Sequence, residues 1–311
     1  MTLVLSWHLI THSDGWVLVH ITTIIGYYVT SLLTRHDIGV TLLAMDNLKV
    51  HKHNDLIQAK YSVMTMPEQL LLLAVIGKSD PREITAETLI EVTVSDFQDL
   101  LNSSRKDSYG ELKKAVKRLY NRSVVIDNPD PENPRLSSTE TRWVSSINYF
   151  DGEGLIQLNL APKILPYLAN LKDNYTSFFV RHVASFKSSY GVRLYELLIQ
   201  WQGKGSREID IDWLRDQWQL QDKYQAMNDF KKRVIDPAMK DINDHSNLWV
   251  KFGQRKRGRK VVAFQFEFGL KDDVSTSKSL TKKQADALAK VGESYPQLYA
   301  RLKKEGYRIK K

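Results

Sequence analysis

The stretch DFKKRVIDPAMKDIND, residues 229–244, is followed by LWVKFGQRKRGRKVVAFQFEF, residues 248–268. Apolar residues recur at steps of four in the first part, which indicates a helix with one buried face. They are Phe230, Val234, Ala238 and Ile242. Apolar and polar residues alternate in the second part, over Leu248–Gly253 and Lys260–Phe268, as in strands with one buried face. The two parts together predict a helix over Tyr224–His245 that leads into a β-hairpin.

Most of the excess positive charge of the chain lies in this helix and hairpin. From Lys223 to Lys260 there are 11 Lys and Arg residues and 4 acids, a net charge of +7, against +9 for the whole chain. The predicted core stripe leaves Lys232, Arg233 and Lys240 on the outer face of the helix and Lys231 on its flank. The tip of the hairpin carries Arg255, Lys256, Arg257, Arg259 and Lys260.

These cations predict a DNA-binding surface. A tip of this composition repels itself, so phosphate binding explains it better than a role in folding. A helix of this kind fits the major groove, where Lys and Arg reach guanine edges as well as phosphates. Two plainer interpretations stay open: a solvated basic hairpin, and a helix face that is basic because the whole protein is basic.

Pro237 interrupts the predicted helix. Proline inside a helix removes one backbone hydrogen bond and crowds the preceding turn, so a kink is one possibility. The other is that Asp236 caps a new helix with Pro237 at its first position, where a missing N–H costs little. The pattern does not decide between them.

Composition places the chain among globular intracellular proteins. Its 311 residues predict about two domains, and 42% hydrophobic with 26% charged residues is ordinary for a folded chain. Lys and Arg number 45 against 36 Asp and Glu, with a pI near 9.4, which favours a polyanionic partner. The absence of cysteine excludes disulfides, Cys-ligated zinc and thiol nucleophiles, and we expect a cytoplasmic protein.

No residue pattern is typical of an enzyme. The segment His51-Lys52-His53 is similar to the metal-binding His pair of nicking enzymes, but no motif with paired tyrosines follows, and we interpret it as a surface-exposed pair. Gly253 and Gly258 have Walker A spacing, but Arg259-Lys260 stands where Lys followed by Ser or Thr is required. We therefore expect no catalysis, cofactor, metal or small-molecule substrate.

Both halves of the chain show three helices followed by a hairpin, the winged-helix order. The first half predicts a helix from Thr65 with Pro67 in its first turn, a helix over Thr93–Asn102 with Ser95 as N-cap, and a helix over Tyr109–Arg122, then strands Arg142–Phe150 and Leu155–Leu160. The second half predicts a long helix over Phe178–Gln202, bent near Gly191, then Ile211–Leu220 and Tyr224–His245.

The expected fold is α+β, with tandem winged-helix domains over residues 45–172 and 173–271, followed by a linker and basic tail over 272–311. Within the tail, Val274–Ser279 is the expected linker and Thr281–Lys311 one short helix with a basic end. The outer face of Tyr109–Arg122 carries Lys114, Lys117 and Arg118, for which two interpretations are open: a second DNA surface, or an ordinary solvated helix face.

Residues 1–44 differ from the rest of the chain, since Arg35 is their only cation. Trp16–Leu33 is an uncharged run of 18 residues, at the short end of what spans a bilayer. Three interpretations are open: a membrane anchor, an added structural segment, or an artefact of an upstream start, with Met45 as the natural first residue.

Three segments resemble iteron-binding plasmid replication initiators with two winged-helix domains. Asn54–Ala59 followed by Pro67–Leu70 is similar to the family's opening stretch. Ser185–Leu198, with its Arg-Leu-Tyr-Glu sequence, resembles the most characteristic motif of the family, and Tyr224–Asn243 resembles its DNA-reading helix. The similarity covers about residues 46–270.

The resemblance implies a non-enzymatic initiator that binds directly repeated duplex sites at a plasmid origin. Similar proteins help to open an adjacent AT-rich segment and recruit the host initiator and the replicative helicase, and as homodimers they commonly repress their own gene. The DNA-contacting residues of the family correspond here to Lys231, Lys232 and Arg233, and its basic wing to Arg255–Lys260. The alternative is a winged-helix transcriptional repressor without a role in replication.

Overall fold

The structure, a computed structural model, describes residues 5–12, 15–24, 27–29, 47–101, 107–271, 278–280, 293–304 and 307–309. The chain divides into two compact units, Met1–Ala44 and Met45–Lys311. In the first unit, β1 (Leu5–His12), β2 (Gly15–Ile24) and β3 (Tyr27–Val29) form an antiparallel sheet in chain order. The uncharged run Trp16–Leu33 therefore contains a strand, and among the described residues no helix is long and apolar enough to cross a membrane.

The second unit begins with β4 (Lys49–His53) and the short helix α1 (Asn54–Gln58). The first winged-helix domain then follows as α2 (Met66–Lys78), β5 (Ile90–Thr93), α3 (Val94–Leu101), α4 (Ser108–Tyr120), β6 (Ser123–Asp127), β7 (Ser138–Arg142), β8 (Val144–Phe150) and β9 (Leu155–Leu160). Its main sheet has the order β5-β9-β8, and β6 pairs with β7 in a separate hairpin.

The second winged-helix domain has the same topology. It comprises α5 (Ser189–Ile199), β11 (Ser206–Asp210), α6 (Ile211–Gln217), α7 (Met227–Phe230), a π-helical turn (Lys231–Ile235), α8 (Asp236–His245), β12 (Leu248–Arg257) and β13 (Lys260–Leu270), and the strand β10 (Tyr175–Phe179) precedes it. The sheet order β11-β13-β12 corresponds to β5-β9-β8. The prediction of an α+β fold with two winged helices is confirmed, while the domain boundaries at 44/45, 172/173 and 271/272 stay predictions.

Helix starts follow from local side-chain chemistry. At α2, the N–H and the hydroxyl of Thr65 both donate to the Glu68 carboxylate at 2.7 Å, and Pro67 occupies the first turn as predicted. At α3 the predicted N-cap Ser95 is wrong: Thr93 and Asp96 bond each other's backbone N–H, at 2.9 and 3.1 Å. Ser95 lies inside the helix.

The long helix predicted over Phe178–Gln202 is wrong. Residues Tyr175–Phe179 form β10, which pairs antiparallel with β4, and a single 3₁₀ turn at Val180–His182 separates it from α5. The pairing joins residues more than 120 positions apart, His51 opposite Ser177, and a local apolar pattern carries no sign of such a partner.

Two further differences concern the strands and the tail. Strands β5, β7 and β11 are not among the elements that the sequence predicts. In the tail, α9 (Tyr295–Lys304) matches the predicted short helix, and β14 (Lys278–Leu280) pairs in parallel with β15 (Tyr307–Ile309). The predicted linker Val274–Ser279 lies partly outside the described residues.

A buried polar junction joins the two winged-helix domains. Lys52 Nζ of β4 lies 2.6 Å from Glu196 Oε1 of α5, and both side chains are 2% exposed. Arg193 of α5 is also buried and donates to the carbonyls of Ala59 and Tyr61 at 3.1 and 3.4 Å. The Arg-Leu-Tyr-Glu motif therefore ties α5 to the first domain through its two charged residues.

The interpretation of His51 and His53 as a surface-exposed pair is wrong. His51 and His53 are half-buried on β4, not a surface-exposed pair. The ring of His51 bonds the Ser177 hydroxyl at 2.7 Å across the β4–β10 pair, and burial lowers its pKa. Both histidines therefore take part in the packing of β4.

Candidate nucleic-acid interface

The DNA-reading helix predicted over Tyr224–His245 is residues 227–245, which we call the recognition helix. Backbone angles stay helical where α7 meets the π-helical turn and where that turn meets α8. They are φ −58° and ψ −47° at Phe230, and φ −62° and ψ −43° at Asp236. The N–H of Asp236 donates to the carbonyl of Lys231, five residues earlier, which makes Lys231–Ile235 a π turn. Asp236 does not cap a new helix, and the interruption at Pro237 takes the form of this π turn.

The predicted cations of the recognition helix lie where the stripe places them. The stripe residues Phe230, Val234, Ala238 and Ile242 are all 0% exposed. Lys232, Arg233 and Lys240 are exposed, and Lys231 is half-buried on the flank. Arg233 pairs with Asp229 at 3.6 Å, whereas Lys240 pairs with Asp244, whose carboxylate raises the pKa of Lys240. Exposed pairs of this kind contribute little to stability, so exchange for a phosphate costs the fold little.

The C-terminal end of the recognition helix is fixed by polar contacts. Asp241 Oδ2 accepts the backbone N–H groups of Lys187 and Ser188 at 2.9 and 2.6 Å, at the start of α5. The Asn243 side chain pairs with the N–H and C=O of Val250 at 2.8 and 2.9 Å. The first contact locks the helix to α5 and the second locks it to the hairpin behind it.

That hairpin, β12 and β13, we call the basic wing. Its strands are longer than predicted, reaching Arg257 and starting again at Lys260, so that Gly258 and Arg259 alone connect them. Gly258 has a φ of +61°, a conformation that favours glycine. Because the strands run to the tip, their pairing holds the cations in an extended array.

All five predicted cations of the wing tip are exposed. Arg255 Nε pairs with Glu208 Oε1 at 2.9 Å, and Lys260 Nζ lies 3.7 Å from Asp212 Oδ2. Within the part of the chain that the structure describes, Lys256, Arg257 and Arg259 form no ion pair with a carboxylate. These three are the cations most available to an external anion.

The wing tip and the start of the recognition helix border one cleft. Its lining includes Arg259 and Lys260 of the wing and Met227 of the recognition helix, around a volume of about 540 Å³. Arg215 lies in the same cleft and donates to the carbonyls of Lys223 and Tyr224 at 2.8 and 2.6 Å, which fixes the turn before the helix. The cleft therefore places Arg259 and Lys260 of the wing beside the start of the recognition helix.

The residues that orient this surface carry no distinctive pattern in the sequence. Arg215, Glu208, Asp241 and Asn243 read as ordinary surface residues in the sequence, but each makes a contact that positions the wing or the helix. The only available signal was the Ile242-Asn243 ending of the DNA-reading segment in the family resemblance.

The second predicted DNA surface lies on α4. Lys114, Lys117 and Arg118 are all exposed, and Lys117 Nζ lies 5.2 Å from the ring centroid of Tyr120. Lys114 and Arg118 border a cleft of about 500 Å³ whose lining includes Leu70 and Phe97. The three cations share one helix face, as predicted, but no basic wing tip adjoins them.

This architecture defines the class: two winged-helix domains, the second with a cationic recognition helix and wing. The chain belongs to the initiator replication protein family. The model for the first winged helix, described as initiator replication protein WH1, matches residues 49–199, and the model for the initiator Rep protein WH2 matches residues 210–268. The resemblance found in the sequence is thereby confirmed.

Known relatives agree with this assignment. A replication initiation protein of Escherichia coli is 28% identical over 239 residues, which cover 75% of this chain and 73% of the relative. An uncharacterised 27.6 kDa protein of Escherichia coli is 25% identical over 68% of this chain and 92% of its own length. Among solved structures, the Pi initiator protein in complex with iteron DNA superposes with a TM-score of 0.60 at 20% identity, covering 73% of this chain and 99% of that chain. This last similarity concerns the fold.

Proposed function

We propose that the protein initiates plasmid replication by binding directly repeated duplex sites, or iterons, at the origin. The observation that carries the proposal is the set of exposed cations on the recognition helix and the basic wing of one winged-helix domain, in a chain of the initiator family. The match to an initiator that was crystallised on iteron DNA supports the same partner.

Within this surface, the two groups of cations have different roles. Lys231, Lys232 and Arg233 on the recognition helix, with Lys240 nearer its end, read base edges in the major groove. Arg255, Lys256, Arg257, Arg259 and Lys260 on the wing bind phosphates, which fixes the position of the protein but carries no sequence information. Lys114, Lys117 and Arg118 on α4 form a second, weaker contact with the duplex.

The energy for opening the origin comes from DNA binding, DNA bending and supercoiling. Separating a duplex costs about 1.4 kcal/mol per base-pair step. Several copies on tandem repeats bend the DNA, and together with supercoiling this offsets the cost in the adjacent AT-rich segment. The exposed origin then receives the host initiator and the replicative helicase, and a homodimer of the protein represses its own gene.

A nuclease footprint of the purified protein on the DNA beside its gene tests the proposal. We expect protection of tandem repeats of about 20 base pairs, because each of the two domains would cover about one helical turn of the duplex. Affinity should fall about 10³–10⁵-fold between 50 and 200 mM salt if one copy neutralises roughly 6–10 phosphates. A single protected inverted repeat without tandem sites would instead identify a transcriptional repressor.

A further inference from the structure

The spacing of the core residues in the recognition helix does not fit a regular α-helix. Phe230, Val234, Ala238 and Ile242 follow steps of four and span twelve residues, yet all four are fully buried. At about 100° per residue, twelve residues of α-helix turn about 120° past three full turns, which would carry the last side chain off the buried face.

The π turn resolves this mismatch. The hydrogen bond of a π turn spans five residues instead of the four of an α-helix. One extra residue is therefore accommodated while the apolar stripe stays on the same face of the helix. The remaining eleven residues return to within about 20° of three full turns. Ile235, inside the turn, is also fully buried, so the turn packs against the core on the inside and carries its cations on the outside.

Pro237 also disfavours a regular α-helix without the π turn, which we call the α register. In a regular α-helix, residue 237 would donate its N–H to the carbonyl of Arg233, but proline has no N–H and its ring crowds that carbonyl, at a cost of about 3 kcal/mol. In the observed register, the preceding residue Asp236 bonds the carbonyl of Lys231 instead. Core spacing and proline therefore select the same register independently.

The register determines where the cations of the turn point. If the π turn closed to a regular α-helix with every residue kept, the part before the turn would rotate by about 100° relative to the part after it. The C-terminal part is fixed by Asp241 and Asn243 to α5 and to the basic wing, so the cations before it would change their setting against the wing.

We propose that the π turn, held open by Pro237, fixes the rotational setting of Lys231, Lys232 and Arg233 against the basic wing and thereby selects the base edges they reach. Pro237 is a positioning residue for sequence recognition and does not itself contact DNA. The proposal rests on the proposed function, because it concerns how the same surface distinguishes one duplex sequence from another.

A one-residue deletion tests the register. Deletion of Lys232 shortens the stripe to the spacing of a regular α-helix, and Lys232→Ala is the matched control that loses the same charge but keeps the turn. Each purified protein selects binding sites from duplexes with randomised positions. We expect Lys232→Ala to keep the wild-type consensus except at the base that Lys232 reads. The deletion, which brings Lys231 and Arg233 one residue closer, should select a different consensus and bind the wild-type repeat at least about tenfold more weakly than Lys232→Ala.

The same consensus and affinity for both variants would overturn the proposal. If the deletion variant does not fold by circular dichroism, Pro237→Ala decides, since it restores the N–H and admits both registers. We expect Pro237→Ala to fold and to select a broader consensus than the wild type, and an unchanged consensus contradicts the proposal. A wild-type protein that selects no consensus refutes the proposed function instead, so the two failures are distinguishable.

Discussion

The two winged-helix domains share one topology but differ in the chemistry of their wings. The tip of the first wing, Asp151–Gly154, has two acids and no cation, and Asp151 holds Lys113 of α4 at 3.0 Å. The tip of the second wing, Arg255–Lys260, is cationic at every position except Gly258. Wing tips are exposed and leave the core untouched, so their charge can differ without a change of fold. The fold alone therefore does not assign DNA binding to a domain, and the charge of the wing is what leads us to expect the stronger DNA contact in the second domain.

The largest effect, on the free energy of unfolding, is expected at the buried polar junction between the two winged-helix domains. Glu196→Gln leaves Lys52 as a buried, unpaired charge, and we expect a loss of about 3–5 kcal/mol in the free energy of unfolding, measured by denaturant titration. The double variant Lys52→Met with Glu196→Leu removes both charges and should recover most of that loss. Equal stability of Glu196→Gln and the wild type would mean that the domains do not depend on this pair.

Neutralising the basic wing should remove most of the DNA affinity by which the second domain is expected to exceed the first. For the triple variant Lys256→Ala, Arg257→Ala and Arg259→Ala, we expect an affinity for any duplex about a hundredfold lower at 100 mM salt, and a salt slope reduced by about 2.7. The matched control removes three exposed cations from the first domain, Arg135, Lys163 and Lys172. Equal losses in the two triples would show that net charge, and not the wing, governs binding.

A smaller and more selective effect is expected on the recognition helix. Lys232→Ala or Arg233→Ala should lower the preference for the cognate repeat over unrelated duplex by about tenfold, because a base contact is worth about 1–3 kcal/mol. Competition binding with both duplexes measures this ratio. A loss shared equally by cognate and unrelated DNA would place these side chains on phosphates and remove the distinction between helix and wing.

The smallest effect on binding is expected in the first domain. For Lys114→Ala, Lys117→Ala and Arg118→Ala combined, we expect about a fivefold loss of affinity, since their helix face has no cationic wing beside it and exposed charges act through screened interactions. Titration at 50 and 200 mM salt checks the value. A loss as large as that of the second wing would contradict the asymmetry between the domains.

Local patterns predicted much of this molecule. The helices α2, α4 and α6, the core stripe of the recognition helix and the hairpin behind it follow from periodicity and capping residues within windows of about fifteen residues. The candidate DNA surface followed in the same way, because a charged, exposed tip is visible in the sequence as a run of cations. The helix predicted over Phe178–Gln202 failed because part of it pairs as a strand with β4.

The sequence by itself determined the periodic elements, the charge of each wing and the apolar stripe from Phe230 to Ile242. The tertiary structure alone decided that β4 pairs with β10, that Lys52 meets Glu196 in the interior, and that Asp241 and Asn243 fix the helix to its surroundings. The physical reason is range: periodicity and charge are properties of neighbouring residues, whereas the partner of a strand edge or a buried charge is chosen only once distant segments have packed together.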